Sequence, residues 1–283
     1  MRWYSSVVAF ALVFGLVFSV QAFAGEKASE HMRPEAKATF EYYKLSKMFD
    51  KDLSNTAGEK LGKFQDFLIS EEGHFKYAIL SPEWEEMSGK WFAIPWKAVK
   101  ASPEYAFTVD MSRDKLAKAP WFEKGKWEKF DDPEWEKSVY SYYGVEPAFK
   151  EGEMPMKGTY RASWILGRTM LDSEGTKVGS VKNVFASRDG YAKYLILSHE
   201  GALKEAKAFV PVPWDHTKFS MEKDAVIVKV TKSHLESAPS FGEDEWTKFS
   251  DKDWTKSIHS YYEPGETKEY KHGETKEHSH MEY

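Results

Sequence analysis

Apolar and polar residues alternate at several points in this chain with a period of two. Phe107, Val109 and Met111 flank Thr108 and Asp110, and Val226, Val228 and Val230 fall around Lys229. Such alternation predicts strands with one buried face. Glycines fall between the strand-like segments, at Gly58 and Gly73 and again at Gly175 and Gly190, where they predict hairpin turns. Two helical pieces follow the last strand in each half. The first is opened by Ser112 or Thr231 as N-cap, and the second follows Asp132-Pro133 or Ser250-Asp251. In the second helix Trp135, Val139 and Tyr142 share one face, as do Trp254, Ile258 and Tyr261.

The two halves are copies of one unit. Gly58-Glu-Lys-Leu-Gly62 aligns with Gly175-Thr-Lys-Val-Gly179, 117 positions on (58 against 175), and Tyr77-Ala-Ile-Leu-Ser81 aligns with Tyr194-Leu-Ile-Leu-Ser198 in the same register. Ile94-Pro95-Trp96 then matches Val212-Pro213-Trp214, and Leu116 to Phe122 matches Leu235 to Phe241. Trp127, Phe130, Trp135, Ser138 and Ser141-Tyr142-Tyr143 recur as Trp246, Phe249, Trp254, Ser257 and Ser260-Tyr261-Tyr262. The resulting division is a leader over 1–24, copy one over 42–144, a linker over 145–159, copy two over 160–263 and a polar tail over 264–283. Short strands joined by glycine turns predict a mainly β chain of two tandem small β-barrels, each followed by short C-terminal helices.

These motifs resemble the PRC-barrel domain, the family that includes the barrels of the photosynthetic reaction-centre H subunit and of a ribosome maturation factor. The resemblance rests on Ile165-Leu166-Gly167, the turn at Gly175, Val178-Gly179-x-Val181-Lys182-Asn183, the run Leu195-Ile196-Leu197, Val212-Pro213-Trp214 and Ala238-Pro239-Ser240-Phe241. Copy one keeps Gly62 with Gln65-Asp66, Ile94-Pro95-Trp96 and Ala119-Pro120, but has Phe49-Asp50 where copy two has Leu166-Gly167. The resemblance implies a fold and a docking habit rather than a reaction.

Composition narrows the function. With 41% hydrophobic and 30% charged residues the chain can bury a core, and a net charge of −5 with interspersed signs offers no basic field for nucleic acid. The absence of cysteine removes disulfides, thiolate metal sites and cysteine nucleophiles. Arg2, the apolar run Val7 to Phe18 and Ala22-Phe23-Ala24 read as a secretory signal peptide cleaved after Ala24, which places the mature chain in the periplasm or outside the cell. An uncleaved anchor is the rival reading, and in that case the chain meets a membrane.

No catalytic, cofactor-binding or metal-binding residue is assigned from the sequence, and no cofactor is expected. His272, His278 and His280 lie in the charged tail, where a solvated terminus outweighs metal binding. His74, His199 and His216 are scattered, and Asp131-Asp132 reads as a helix cap. Asp66 and Asn183 occupy equivalent positions, and the exchange of acid for amide argues against proton transfer there. The aromatic excess, 16% of residues, reads first as packing between helix and barrel and second as a recognition platform. The expected function is a non-catalytic exported binding or adaptor protein whose two modules dock a protein or envelope partner. A carrier of an apolar small molecule, held in a barrel or between the two barrels, is the alternative, and an enzyme of unrecognised type comes third.

Overall fold

A computed structural model describes residues 42–146, 158–199, 201–203 and 206–262; the leader and the tail histidines lie outside these residues. Copy one contributes β1 (Tyr42–Lys44), β2 (Asp52–Asn55), β3 (Lys60–Ser70), β4 (Phe75–Ser81), β5 (Lys90–Pro95), β6 (Val99–Ala101), β7 (Phe107–Val109) and β8 (Trp121–Glu123). Copy two contributes β9 (Thr159–Arg161), β10 (Thr169–Leu171), β11 (Lys177–Ser187), β12 (Ala192–Ser198), β13 (Phe209–Pro213), β14 (Thr217–Ser220) and β15 (Ala225–Val228). The helices are α1 (Arg113–Lys118), α2 (Pro133–Tyr143), α3 (Ala162–Ile165), α4 (Lys232–Glu236) and α5 (Lys252–Tyr262).

The expected topology repeats faithfully. One sheet runs β6-β7-β2-β3-β4-β5-β8 and the other β14-β15-β10-β11-β12-β13. Phe241 stands at the place of β8, as a single bridge to Phe209. Glycine turns at Gly58, Gly73, Gly175 and Gly190 all have positive φ and join the expected hairpins. Ser112, Asp132 and Thr231 cap their helices through side-chain oxygens. Closed barrels, however, are not formed. Each sheet has two ends, and among the described residues no hydrogen-bonded pairing joins β6 to β8 or β14 to β13. The strands at the ends are only three to five residues long, which gives little edge over which a ring could close.

What completes each sheet is the other copy. β3 has 11 residues, and on one side it pairs with β4 over most of its length. On its other side β2 pairs only with Lys60 to Lys63. The remaining edge, Leu68 to Ser70, pairs with β9, the first strand of copy two. Reciprocally β1, the first strand of copy one, pairs with Phe185 to Ser187 of β11. An open edge beside a buried face is unfavourable because its amides and carbonyls lose water without gaining partners. Exchange of first strands removes that cost on both sides.

Equivalent polar residues fasten the exchange. Asp66 Oδ1 accepts from the amides of Phe67 at 2.8 Å and Ser163 at 3.0 Å, and Oδ2 accepts from the Ser163 hydroxyl. In the twin site Asn183 Oδ1 accepts from the amides of Val184 at 3.0 Å and Ser46 at 3.2 Å, while Nδ2 donates to the Ser46 hydroxyl at 2.7 Å. A serine hydroxyl both donates and accepts, so acid and amide serve the same geometry. Both residues follow a bulge in their strand, which swings the side chain towards the arriving segment. The exchanged strands end in cations that cover tryptophans of the other copy. Lys44 Nζ is 4.0 Å from the Trp246 ring centroid, and the Arg161 guanidinium is 4.9 Å from that of Trp127.

The hairpin tips also meet. The Phe75 amide donates to Gly190 O and the Ala192 amide to Gly73 O, both at 2.8 Å. The tryptophan of each Pro-Trp motif lies on the other copy's tip: Trp214 Nε1 donates to Glu71 O at 2.8 Å, and the Trp96 indole fills the space where a Gly190 side chain would stand. A single apolar core accordingly runs through both copies, from Phe64 and Phe67 to Val184 and Leu197. The divergent Phe49-Asp50 keeps the backbone of its twin, since Asp50 has φ 59° where Gly167 has φ 78°.

Two outcomes test the seam. Burial raises the Asp66 carboxyl above its ordinary pKa, against the hydrogen bonds from Ser163 and Phe67. Its contribution to stability is therefore full below the ordinary carboxylate range and is lost as pH rises through the raised value. Asp66→Asn, which copies the twin site, should raise Tm at pH 7 by a few degrees, the effect of about 1 kcal/mol in a unit of this size, with the gain vanishing near pH 4. Gly190→Ala should cost about 1–3 kcal/mol more than Gly58→Ala in denaturant melts, because both sites have positive φ but only the first meets an indole.

Candidate functional site

Helix α2 lies over the outer face of the copy-one sheet. Asp132 accepts from the amides of Glu134 and Trp135, Pro133 occupies the first turn, and Gly144 ends the helix in the left-handed region at φ 64°. Lys129, together with those amides, holds the Asp132 carboxyl below its usual range. The buried face is Trp135, Glu136, Val139 and Tyr140, packed on Leu68, Tyr77, Ile79, Ala93, Phe122 and Phe130. The expected stripe of Trp135, Val139 and Tyr142 is thus rotated by part of a turn, and Tyr142 stays half-exposed. In copy two Ile258 and Tyr262 are buried, while Trp254 and Tyr261 are partly so.

Within this cluster the Tyr77 hydroxyl donates to Glu136 Oε1 at 2.7 Å, and Glu136 is only 1% exposed. Burial pushes its carboxyl up to about 7, against the Tyr77 hydrogen bond and the nearby charge of Lys76. Copy two differs: Thr255 stands at the place of Glu136, and the Tyr194 hydroxyl lies 2.7 Å from Nε2 of His259, the counterpart of Tyr140.

The Ser-Tyr-Tyr motif ties each long helix to the short one before it. The Tyr142 hydroxyl donates to Lys115 O at 2.5 Å, and the Tyr261 hydroxyl to His234 O at 2.6 Å. Beside the first tie lies a half-open cleft of about 480 Å³ lined by Ala98, Val109, Met111, Tyr142, Tyr143 and Val145, with Asp110 and Lys115 also in its wall. In copy two a flatter depression of about 660 Å³ lies between Pro239 and Tyr261. Elsewhere in copy two His216 and His234 approach Tyr262, with ring centroids 5.4 and 5.9 Å away. Among the described residues no group of three or more His, Asp or Glu side chains could hold a metal. His199 serves its own loop, with Nδ1 facing the amides of Gly201 and Leu203.

Among the described residues the most exposed large aromatic side chain, Trp121, is elsewhere, at the β5–β8 end of the copy-one sheet. Phe92 pairs with Trp121 on one face and Trp91 with Phe122 on the other; Phe92 is buried, whereas Trp121, on the outermost strand, is 40% exposed. Lys90 Nζ is 4.9 Å from the Trp121 centroid, and Lys124 Nζ is 5.8 Å from that of Trp91. Trp91 meets Trp127 edge to face at 5.8 Å, beneath Arg161. The corresponding end of copy two has Phe209, 4% exposed, and Ser240 in place of Trp91 and Trp121. The sequence signal for this surface was a mismatch, two tryptophans whose twins are a phenylalanine and a serine, within a repeat otherwise read for its matches.

No curated protein matches the chain. The family model of the PRC-barrel domain matches residues 40–115 and 157–235, more than half of the 283 residues, and each matched segment opens with the strand that crosses to the other sheet. With two such segments folded alike and interlocked, the chain belongs to the PRC-barrel domain family.

Proposed function

We propose that this chain is a non-catalytic binding protein, exported by its leader, that docks a protein or envelope partner through the tryptophan end of copy one. The observation that carries this reading is Trp121, 40% exposed at a sheet end with Lys90 Nζ 4.9 Å from its ring, on a strand pair whose other face carries Trp91 with Trp127, Lys124 and Arg161. Tryptophan and arginine dominate binding hot spots because they combine rigid apolar area with directed polar contacts. The interlocked frame favours affinity, since a surface carried on a rigid body loses little freedom on association. The lysines and arginine suit a partner with acidic groups around an apolar anchor.

The cleft of about 480 Å³ beside α2 favours the carrier as a second reading, because its size falls within the usual range for small-molecule sites, about 300–1,000 Å³.

Crosslinking the mature chain to envelope extract, followed by mass spectrometry, should identify the partner. Trp121→Ala should then weaken binding of that purified partner at least about tenfold, equal to about 1.4 kcal/mol, while Tm moves by less than about 2 °C. Unchanged binding would remove the reading. For the carrier, one anilinonaphthalene sulfonate molecule per chain should bind saturably and be lost in Val145→Asp; non-saturable or unaltered binding would count against it.

A further inference from the structure

Helix α2 carries a carboxyl that packing alone does not require. Glu136 projects into an apolar cluster, where its twin position holds the neutral Thr255. Oε1 accepts from Tyr77, whereas Oε2 is buried with no hydrogen-bond partner among the described residues. A carboxylate in such a place has lost most of its hydration and recovers only part of it. A protonated carboxyl has no net charge to desolvate and still accepts the Tyr77 hydrogen bond.

The surroundings leave few other groups to share the titration. From β4 come Lys76, which is buried and whose charge favours ionisation, and Tyr77, whose own hydroxyl is held neutral by burial. From α2 come Tyr140, one turn along, and Tyr143, whose hydroxyl burial also keeps neutral. β5 presents Ala93, and the turn before α2 presents Phe130. Burial outweighs both Tyr77 and Lys76.

We propose that Glu136 is a proton-dependent latch: its protonated carboxyl fastens α2 to the copy-one sheet, and its ionisation loosens the helix. The latch is independent of which partner or ligand the chain binds. Because the folded value is raised, to about 7, the stabilisation is complete below the ordinary carboxylate range and is lost as pH rises through neutrality. The C-terminal turn of α2 supplies Tyr142 and Tyr143 to the cleft wall, so a loosened helix also widens that cleft.

Hydrogen exchange on the full chain reads the latch directly. Between pH 6 and pH 8 the protection factors of α2 amides, corrected for intrinsic rates, should fall about tenfold in the wild type, the change expected for a carboxyl moved from about 4.5 to about 7. In Glu136→Gln that fall should disappear from α2, while α5 behaves as in the wild type; contributions from Asp66 and His74 are common to both chains and cancel. Equal pH dependence of α2 in the two chains would overturn the proposal. Should the variant fail to fold, carboxyl-¹³C NMR of the wild type decides, since a Glu136 titration below about pH 5 refutes the latch and one near neutrality that shifts α2 resonances supports it.

Discussion

The structure depends on a strand that is longer than its own hairpin partner. β3 and β11 each have 11 residues, and β2 or β10 pairs with only the first few. The rest of that edge borders a buried face and requires a partner, and in both sheets the partner is the first strand of the other copy. The serine that follows each exchanged strand, the acid or amide that receives it, and the cation over a tryptophan all stand where this crossing puts them. Magnitudes rank these contacts. Burying a tyrosine such as Tyr43, 2% exposed, contributes at most about 4–6 kcal/mol. A surface cation over a ring adds about 0.5–1 kcal/mol. Apolar burial drives the exchange, and the polar contacts set its register.

On this common frame the copies have diverged in their chemistry. Glu136 and Tyr140 face Tyr77 in one, and Thr255 and His259 stand at the equivalent places in the other. Trp91 and Trp121 occupy one sheet end, Phe209 and Ser240 the other. Lys115 and His234 hold the same backbone tie to a tyrosine but offer different side chains. The shared residues carry architecture, and the unshared ones carry whatever distinguishes the two faces.

Much of the architecture could be read in the sequence because its signals are local. Glycine turns, Ser112 and Thr231 as caps, and period-two strands depend on residues a few positions apart, and the repeat made each visible twice. The exchange depends on contacts across the chain between strands of three residues, too short to carry a periodicity of their own. Its one trace was the joint recurrence of Ser46 with Asn183 and of Ser163 with Asp66, visible only once position 46 is set against 163. The rotated stripe on α2 escaped notice because a buried glutamate breaks the apolar pattern at the point where its burial is most informative. The open sheet ends escaped notice because ring closure leaves no mark on composition.

Interlocking also orders events in time. Tyr42, at the start of β1, pairs with Ser187, so a chain emerging from its N-terminus carries its first strand unpaired until all of copy one and β11 of copy two have been made. Contacts of such sequence separation slow folding. Neither half has both edges of its long strand paired without the other: duplication here has produced one interlocked body with two faces rather than two beads on a string.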